Sequence, residues 1–182
     1  MNDITTDVCI VGGGPAGMVM GLLLARQGVK VTVLESHKDF AREYRGEVLM
    51  PRFIQMMKQV ELWEHLQSYP HLTLKHFEFF FKDKLLARVA FSDLSSEAPF
   101  AFWMPQPVML NALLDKAKTF PSFKIVFGAA VRGLLRDNGK AVGAVVEQEG
   151  KRFNINARVT VGADGRFSEV RKAGDFEFEY EH

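Results

Sequence analysis

The chain has 182 residues, of which 47% are hydrophobic and 25% charged, and these values exclude a disordered or fibrous protein. At this length we expect one full domain, or one domain with a small inserted lobe. The net charge of +1 gives no electrostatic reason to expect nucleic acid or an anionic membrane surface as a partner.

The N-terminal residues 7–11 form a short apolar run that predicts a buried parallel strand, with Cys9 as a small core residue. The acidic Asp3 and Asp7 do not form a basic leader, so we expect no secretory signal and a cytoplasmic protein. A lone cysteine allows no internal disulfide, and no Cys/His cluster has metal-ligand spacing, so we expect no metal site. Glycines and a proline interrupt the uncharged run from Val8 to Ala25, which argues against stable membrane insertion.

The next segment carries the glycine pattern G-x-G-x-x-G at Gly12, Gly14 and Gly17. In this pattern the first glycine permits a tight turn and the second lets the backbone approach a pyrophosphate. The third lets the following helix pack closely on the strand. The spacing therefore predicts a dinucleotide-binding turn.

A helix from about Ala16 to Gln27 follows, with Pro15 near its first turn and free amides facing a phosphate. The helix is apolar nearly all round, which predicts that it is enclosed in a core. Residues 29–35 then predict a strand that ends at Glu35, where the acid of the fingerprint hydrogen-bonds a ribose diol. This pattern leaves FAD and NAD as alternatives.

Residues 36–50 are polar and predict a loop. Arg42 and Arg45 follow the phosphate-binding unit directly, so a guanidinium of this loop is a candidate for the pyrophosphate. Gly46 lets the backbone pass close to a ligand.

The middle of the chain predicts a helix from Pro51 with Phe53, Met56, Met57 and Val60 on its buried side. From Lys75 to Phe91 the hydrophobic period changes to two around a polar turn, which predicts a hairpin with one apolar face. The hairpin interrupts the α/β pattern, so we expect it to belong to an inserted sheet lobe.

A second helix begins near Gln106, with Pro107 at its first position and a buried stripe of leucines behind it. The Gln106 amide can cap the helix or bond a ligand, and both alternatives stay open. Residues 123–127 predict another buried strand. Three short strands then follow, joined by turns at Asn138-Gly139 and Gly150, and we expect this meander to pack on the parallel sheet.

The most specific pattern lies after residue 158, where an apolar strand leads into Ala163, Asp164 and Gly165, with Ser168 and Arg171 at fixed spacing. Together with the glycine turn, Glu35, Arg45-Gly46 and Gln106, this pattern resembles the N-terminal part of the FAD-dependent aromatic hydroxylases. These are the class A flavoprotein monooxygenases with the p-hydroxybenzoate hydroxylase fold. The resemblance covers essentially all 182 residues.

The resemblance implies FAD as cofactor, NAD(P)H as reductant, and a small, aromatic or polycyclic substrate into which one oxygen atom is inserted. It also implies that Glu35 holds the adenosine ribose, and that Arg45, Gln106 and Asp164 approach the pyrophosphate and ribityl chain. The Asp164-Gly165 segment is linked by the resemblance to NAD(P)H use. No catalytic residue is assigned. The candidate cofactor-binding residues are Gly12, Gly14, Pro15, Ala16, Gly17, Glu35, Ser36, Arg45, Gly46, Gln106, Val131, Asp164 and Gly165.

The expected fold is α/β, with a Rossmann-like FAD-binding parallel sheet in residues 1–70 and 100–175 and a β-meander at about 131–156. Residues 71–99 and 176–182 are expected to form part of an inserted antiparallel substrate-domain sheet. The family is considerably longer and has a later Gly-Asp motif, so we expect a truncated enzyme. The alternatives are an FAD-binding module without catalysis, or a flavin halogenase or isoprenoid reductase of the same fold. The sequence does not indicate an oligomeric state.

Overall fold

The computed structural model describes residues 3–41 and 48–176. The chain divides into two compact units. The first unit comprises Met1–Phe40 and Leu113–His182, and the second comprises Ala41–Ala112. These divisions differ from the predicted domain limits at residues 70 and 100, and the assignment of an FAD-binding and a substrate domain stays a prediction.

The elements follow one another in an order typical of an α/β protein with an insertion. They are β1 (Ile4–Val11), α1 (Pro15–Arg26), β2 (Val31–Glu35), β3 (Val48–Leu49), α2 (Pro51–Gln59), α3 (Trp63–Gln67), β4 (Leu72–Leu74), β5 (His76–Phe81), β6 (Lys84–Ala90), β7 (Ala101–Trp103), α4 (Gln106–Ala117), β8 (Phe123–Phe127), β9 (Ala130–Asp137), β10 (Lys140–Gln148), β11 (Lys151–Gly162) and α5 (Glu169–Ala173).

The first unit contains a six-stranded sheet in the order β8-β2-β1-β11-β10-β9. Strands β8, β2, β1 and β11 run parallel to one another. Strands β10 and β9 continue the sheet beyond β11 with antiparallel pairing. The predicted Rossmann-like parallel sheet with a three-stranded meander is confirmed. Because β1 and β11 run in the same direction, with Val11 opposite Gly162, their carboxyl ends lie side by side.

The meander differs from its prediction in one respect, because it extends the parallel sheet rather than packing on it. The strand predicted at residues 152–156 and the apolar strand before Asp164 are one continuous strand, β11. It pairs with β10 on one side and with β1 on the other. The predicted tight turn at Asn138-Gly139 is confirmed, since both residues have the positive φ that such a turn requires.

The core of the first unit lies against this sheet and includes Cys9, which is completely buried. Burial raises the pKa of the Cys9 thiol to about 12. Helix α1 buries the face formed by Gly17, Met18, Gly21, Leu22 and Ala25. The prediction of a helix enclosed on all sides is wrong, since Met20 is exposed and only the stripe that faces the sheet is buried.

The second unit holds a three-stranded sheet, β3-β7-β4, and a separate two-stranded hairpin, β5-β6. The predicted hairpin is confirmed, but a register shift between Phe79 and Phe80 interrupts its period of two. Several of its large apolar side chains are solvent-exposed, including Phe79, Phe80 and Phe81. Helix α2 buries Ile54 and Met57, whereas Met56 of the predicted stripe is exposed. The antiparallel sheets were predicted, but their role in substrate binding stays a prediction.

Two further observations concern the described residues, 3–41 and 48–176. None of their helices is long and apolar enough to cross a membrane. No three His, Cys, Asp or Glu side chains among them come together in an arrangement that could hold a metal ion.

Candidate functional site

The candidate site lies in the first unit, where β1 and β11 end beside each other. The backbone of Gly12 has φ near +108°, and its amide donates to the Leu34 carbonyl oxygen at 2.8 Å. A Cβ atom at Gly12 would overlap the Ala163 carbonyl. The Ala163 amide in turn donates to the Val11 carbonyl at 2.7 Å. The glycine-rich turn and the turn that holds Asp164 therefore contact each other directly.

Helix α1 begins at this turn and points its first amides toward the end of the sheet. Gly14 is its N-cap, Pro15 its first residue, and Ala16 is exposed. A Cβ atom at Gly17 would overlap the Gly12 carbonyl oxygen, so only glycine allows the helix to approach the strand this closely. No side chain of the described residues caps the helix, so its amide dipoles face outward and favour an anion.

The space in front of Gly14 is open. A Cβ atom built at Gly14 would meet no other atom within 4 Å, whereas Cβ atoms at Gly12 and Gly17 would overlap backbone. Two glycines are thus required by the packing of the turn itself, and the third leaves room for a group from outside. A pyrophosphate between the helix N-terminus and this open face fits the arrangement.

Glu35 is the last residue of β2, and its carboxylate lies beside the glycine turn. One carboxylate oxygen, Oε2, accepts a hydrogen bond from the Gly13 amide at 3.0 Å. The other, Oε1, accepts from the His37 amide at 2.9 Å, and the His37 ring nitrogen Nδ1 lies 2.6 Å away. The carboxylate is therefore fixed at the edge where a ribose next to the pyrophosphate would lie.

Two of these residues, Gly13 and His37, were not predicted as part of the site. Gly13 is a variable position in G-x-G-x-x-G, yet a Cβ atom there would approach Glu35 Oε2 to 2.8 Å. The motif thus gave no reason to single it out. His37 lies two residues beyond the acid, and only the possibility of a local side-chain contact within the predicted loop could have indicated its role.

Asp164 is held by the start of helix α5 rather than directed away from the protein. Its Oδ1 accepts from the Ser168 hydroxyl at 2.6 Å, and its Oδ2 accepts from the amides of Glu169 and Val170 at 2.7 and 3.2 Å. Gly165 has φ near +82°, a conformation that turns the chain between β11 and α5. Asp164 shapes this turn, and a contact of its carboxylate with FAD stays a prediction.

Two other predicted residues lie near Glu35 in different ways. Ser36 is exposed, and its hydroxyl lies 3.3 Å from Glu35 Oε1. Val131 belongs to the core of the first unit and is only 8% exposed, so its side chain packs inside the protein. Ala129, at the start of the same segment, donates its amide to the Glu35 carbonyl at 2.9 Å, which holds the two segments side by side.

Four predicted residues are not placed at this site by the structure. Arg42, Arg45 and Gly46 lie outside the described residues. Gln106 is the first residue of α4 and belongs to the second unit, so its predicted capping or ligand role stays a prediction.

Open cavities of about 470 and 400 Å³ also lie among the described residues of the first unit. The larger is lined by residues such as Thr5, Thr32 and Lys124, which lie at the beginnings of β1, β2 and β8. Because the candidate site lies at the opposite, carboxyl ends of these parallel strands, these cavities are not the candidate site. The site is instead an open cradle of backbone amides and one carboxylate.

Comparison with known proteins agrees with this geometry. Residues 5–182 match a family model described as an FAD binding domain. The chain belongs to this family. FAD is therefore the cofactor, and binding of its adenine-nucleotide end at the open face of Gly14, the α1 amides and the Glu35 carboxylate stays a prediction.

Several relatives of this FAD-binding chain have named activities. A 6-methylpretetramide 4-monooxygenase from Streptomyces rimosus is 32% identical over 167 residues, which are 92% of this chain and 40% of the relative. A 3-(3-hydroxy-phenyl)propionate/3-hydroxycinnamic acid hydroxylase from Paraburkholderia xenovorans is 28% identical over 181 residues, covering 97% of this chain and 28% of the relative.

Among solved structures, p-nitrophenol 4-monooxygenase from Pseudomonas putida superposes with a TM-score of 0.84 at 23% identity. The match covers 95% of this chain and 44% of that protein, and it shows a common fold. The FAD-binding chain spans less than half of the length of each of these three proteins.

Proposed function

We propose that the protein is an FAD-dependent monooxygenase that takes electrons from NAD(P)H and hydroxylates an aromatic or polycyclic substrate. The observation that carries the proposal is the meeting of three segments at one edge of the sheet. These are the Gly12–Gly17 turn, Glu35 at the end of β2, and the Ala163–Gly165 turn after β11.

The residues of this chain bind and orient the cofactor. The first amides of α1 stabilise the negative charge of the pyrophosphate, and Glu35 accepts hydrogen bonds from the ribose hydroxyls. Asp164 keeps the turn between β11 and α5 in place through its bonds to Ser168, Glu169 and Val170. When bound, FAD supplies the redox and oxygen chemistry that these side chains do not offer.

The substrate class is supported by the relatives. One acts on 6-methylpretetramide and another on hydroxyphenyl acids, as their names state. The second name states the hydroxylation of a hydroxyphenyl compound, so a phenol or a fused phenolic ring is the class of substrate we propose. The exposed phenylalanines of the β5-β6 hairpin are consistent with a surface that covers a planar molecule, and this role is part of the proposal.

The experiment that tests the proposal measures NAD(P)H oxidation by the purified flavoprotein with and without a phenol. We expect oxidation to accelerate with the phenol, and mass spectrometry to show a product heavier by one oxygen atom. Gly14→Val serves as the matched control, because it should weaken FAD binding strongly while leaving the protein folded. Phenol-dependent oxidation that yields no oxygenated product would contradict monooxygenase activity.

A second candidate function is an FAD-binding module without turnover. The observation in its favour is the share of the relatives that this chain spans, 28% and 40% of the two named above. Bound FAD without any phenol-dependent NAD(P)H oxidation would support the module instead of the enzyme.

A further inference from the structure

The carboxylate of Glu35 is covered in the free chain, although ribose binding requires access to it. Its side chain is only 3% exposed, whereas the neighbouring His37 side chain is 60% exposed. The His37 ring nitrogen Nδ1 lies 2.6 Å from Glu35 Oε1. An exposed ring therefore lies against a buried acid.

The hydrogen bonds around Glu35 leave little room for a further donor on Oε1. An ionised carboxylate oxygen only accepts, and it offers about two lone pairs. The His37 amide and the His37 ring lie at hydrogen-bond distance from Oε1, the Ser36 hydroxyl donates to the same oxygen at 3.3 Å, and the Gly13 amide donates to Oε2. A ribose diol that donates to both oxygens must replace one of these bonds.

The ring bond is the one that can be replaced at low cost. The amide bonds of Gly13 and His37 belong to the backbone, and the His37 carbonyl is also held by the Gly128 amide at 2.8 Å. The His37 ring, in contrast, needs only a change of side-chain rotamer into solvent. The geometry thus separates the backbone donors, which are fixed, from two exposed side chains that can turn away, Ser36 and the larger and closer His37 ring.

We propose that the His37 ring closes the ribose-binding side of Glu35 in the free chain and swings away when FAD binds. The proposal rests on the FAD-binding function of the site and assigns it a competing group within the protein. Because Glu35 only accepts, the ring must carry its proton on Nδ1. Protonation of the second ring nitrogen adds a charge and strengthens the bond to the carboxylate.

This makes FAD binding sensitive to pH. Histidine changes charge between pH 5 and 8, and the charged ring competes better for Glu35 than the neutral ring. Two charged residues, Lys38 and Asp39, follow His37 directly in the sequence. The glycine-rich turn and the β8-β9 turn contribute backbone amides, those of Gly13 and Gly128.

The test measures the FAD dissociation constant of the purified chain between pH 5.5 and 8.5 by quenching of flavin fluorescence. For the wild type we expect about fivefold weaker binding at pH 5.5 than at pH 8, in line with an ion pair that has one exposed partner. His37→Ala should bind FAD about fivefold more tightly than wild type at pH 5.5 and lose this pH dependence. His37→Asn, which keeps a neutral donor, should also be independent of pH.

The matched control is His76→Asn, since His76 forms a second histidine-carboxylate contact, 3.6 Å from Glu78, in the β5-β6 hairpin. We expect it to keep the pH dependence of the wild type. Weaker FAD binding by His37→Ala than by wild type at pH 5.5, or an unchanged pH dependence in both His37 variants, would overturn the proposal. Failure of the folded wild type to bind FAD at any pH would refute the cofactor site itself. This outcome differs from a failure of the His37 proposal, in which the wild type still binds FAD.

Discussion

Replacement of Gly14 by valine should weaken FAD binding strongly while leaving the chain folded. Gly14 has φ near −72° and ψ near −179°, an extended conformation that any residue adopts. No atom lies within 4 Å of the position of its added Cβ. The expected cost is that of a poor N-cap residue, about 1 kcal/mol, which lowers Tm by about 2–4 °C for a chain of this size.

The effect on FAD should be larger, because the new methyl groups fill the space through which a pyrophosphate reaches the α1 amides. Loss of one hydrogen bond to a charged group costs about 1.5–3 kcal/mol, which corresponds to a roughly ten- to hundredfold higher dissociation constant. The assay pairs FAD titration by fluorescence with thermal unfolding followed by circular dichroism, so that binding and stability are measured on the same sample.

Two other glycines provide controls for this experiment. Gly133 in β9 also has open space around its Cβ position, so Gly133→Val should fold and bind FAD as the wild type does. Gly17→Ala should instead destabilise the fold strongly, because its Cβ overlaps the Gly12 carbonyl. A folded Gly14→Val chain that binds FAD with wild-type affinity would refute the assignment of the pyrophosphate to this turn.

Three more changes test other parts of the first unit. Glu35→Gln should weaken FAD binding by about 1.5–3 kcal/mol in the same titration, and undiminished affinity would exclude Glu35 as the ribose acceptor. Asp164→Ala removes the acceptor of the two amides at the start of α5, so the free energy of unfolding should fall by about 1–2 kcal/mol and the urea midpoint should fall with it. An unchanged midpoint would contradict the role of Asp164 in holding the start of α5. Cys9, whose pKa burial raises from 9.0 to about 12, should resist a thiol reagent at pH 8 until the chain unfolds. Because the pKa of the Cys9 thiol is higher in the folded than in the unfolded chain, the contribution of the thiol to stability is present below pH 9 and is lost toward pH 12. Rapid labelling of the native protein would contradict the burial of Cys9.

Much of the first unit could be predicted because local patterns and tertiary structure agree there. The strand at residues 123–127 and the turn at Asn138-Gly139 were predicted where the structure has them. The glycine spacing works for the same reason, since Gly17 must be small to let α1 approach Gly12. Each of these features depends on residues close together in the sequence, or on a position where only glycine fits.

The remaining features depend on contacts between distant segments, which periodicity does not contain. The length of β11 is set by two different partners, β1 and β10, and no local pattern joins the two short apolar runs into one strand. The buried side of α2 includes Ile54 instead of Met56, because the packing partner decides which helical stripe is covered. The role of His37 arises from a side-chain bond that no motif encodes.

The pairing of β1 with β11 has a consequence for how the protein is made. Ile4 lies opposite Ile155, so β1 acquires this neighbour only after about 150 further residues have been synthesised. Contacts between such remote segments slow folding and leave apolar edges unprotected in the meantime. The site at the ends of β1 and β11 therefore cannot form until both of these distant segments are present.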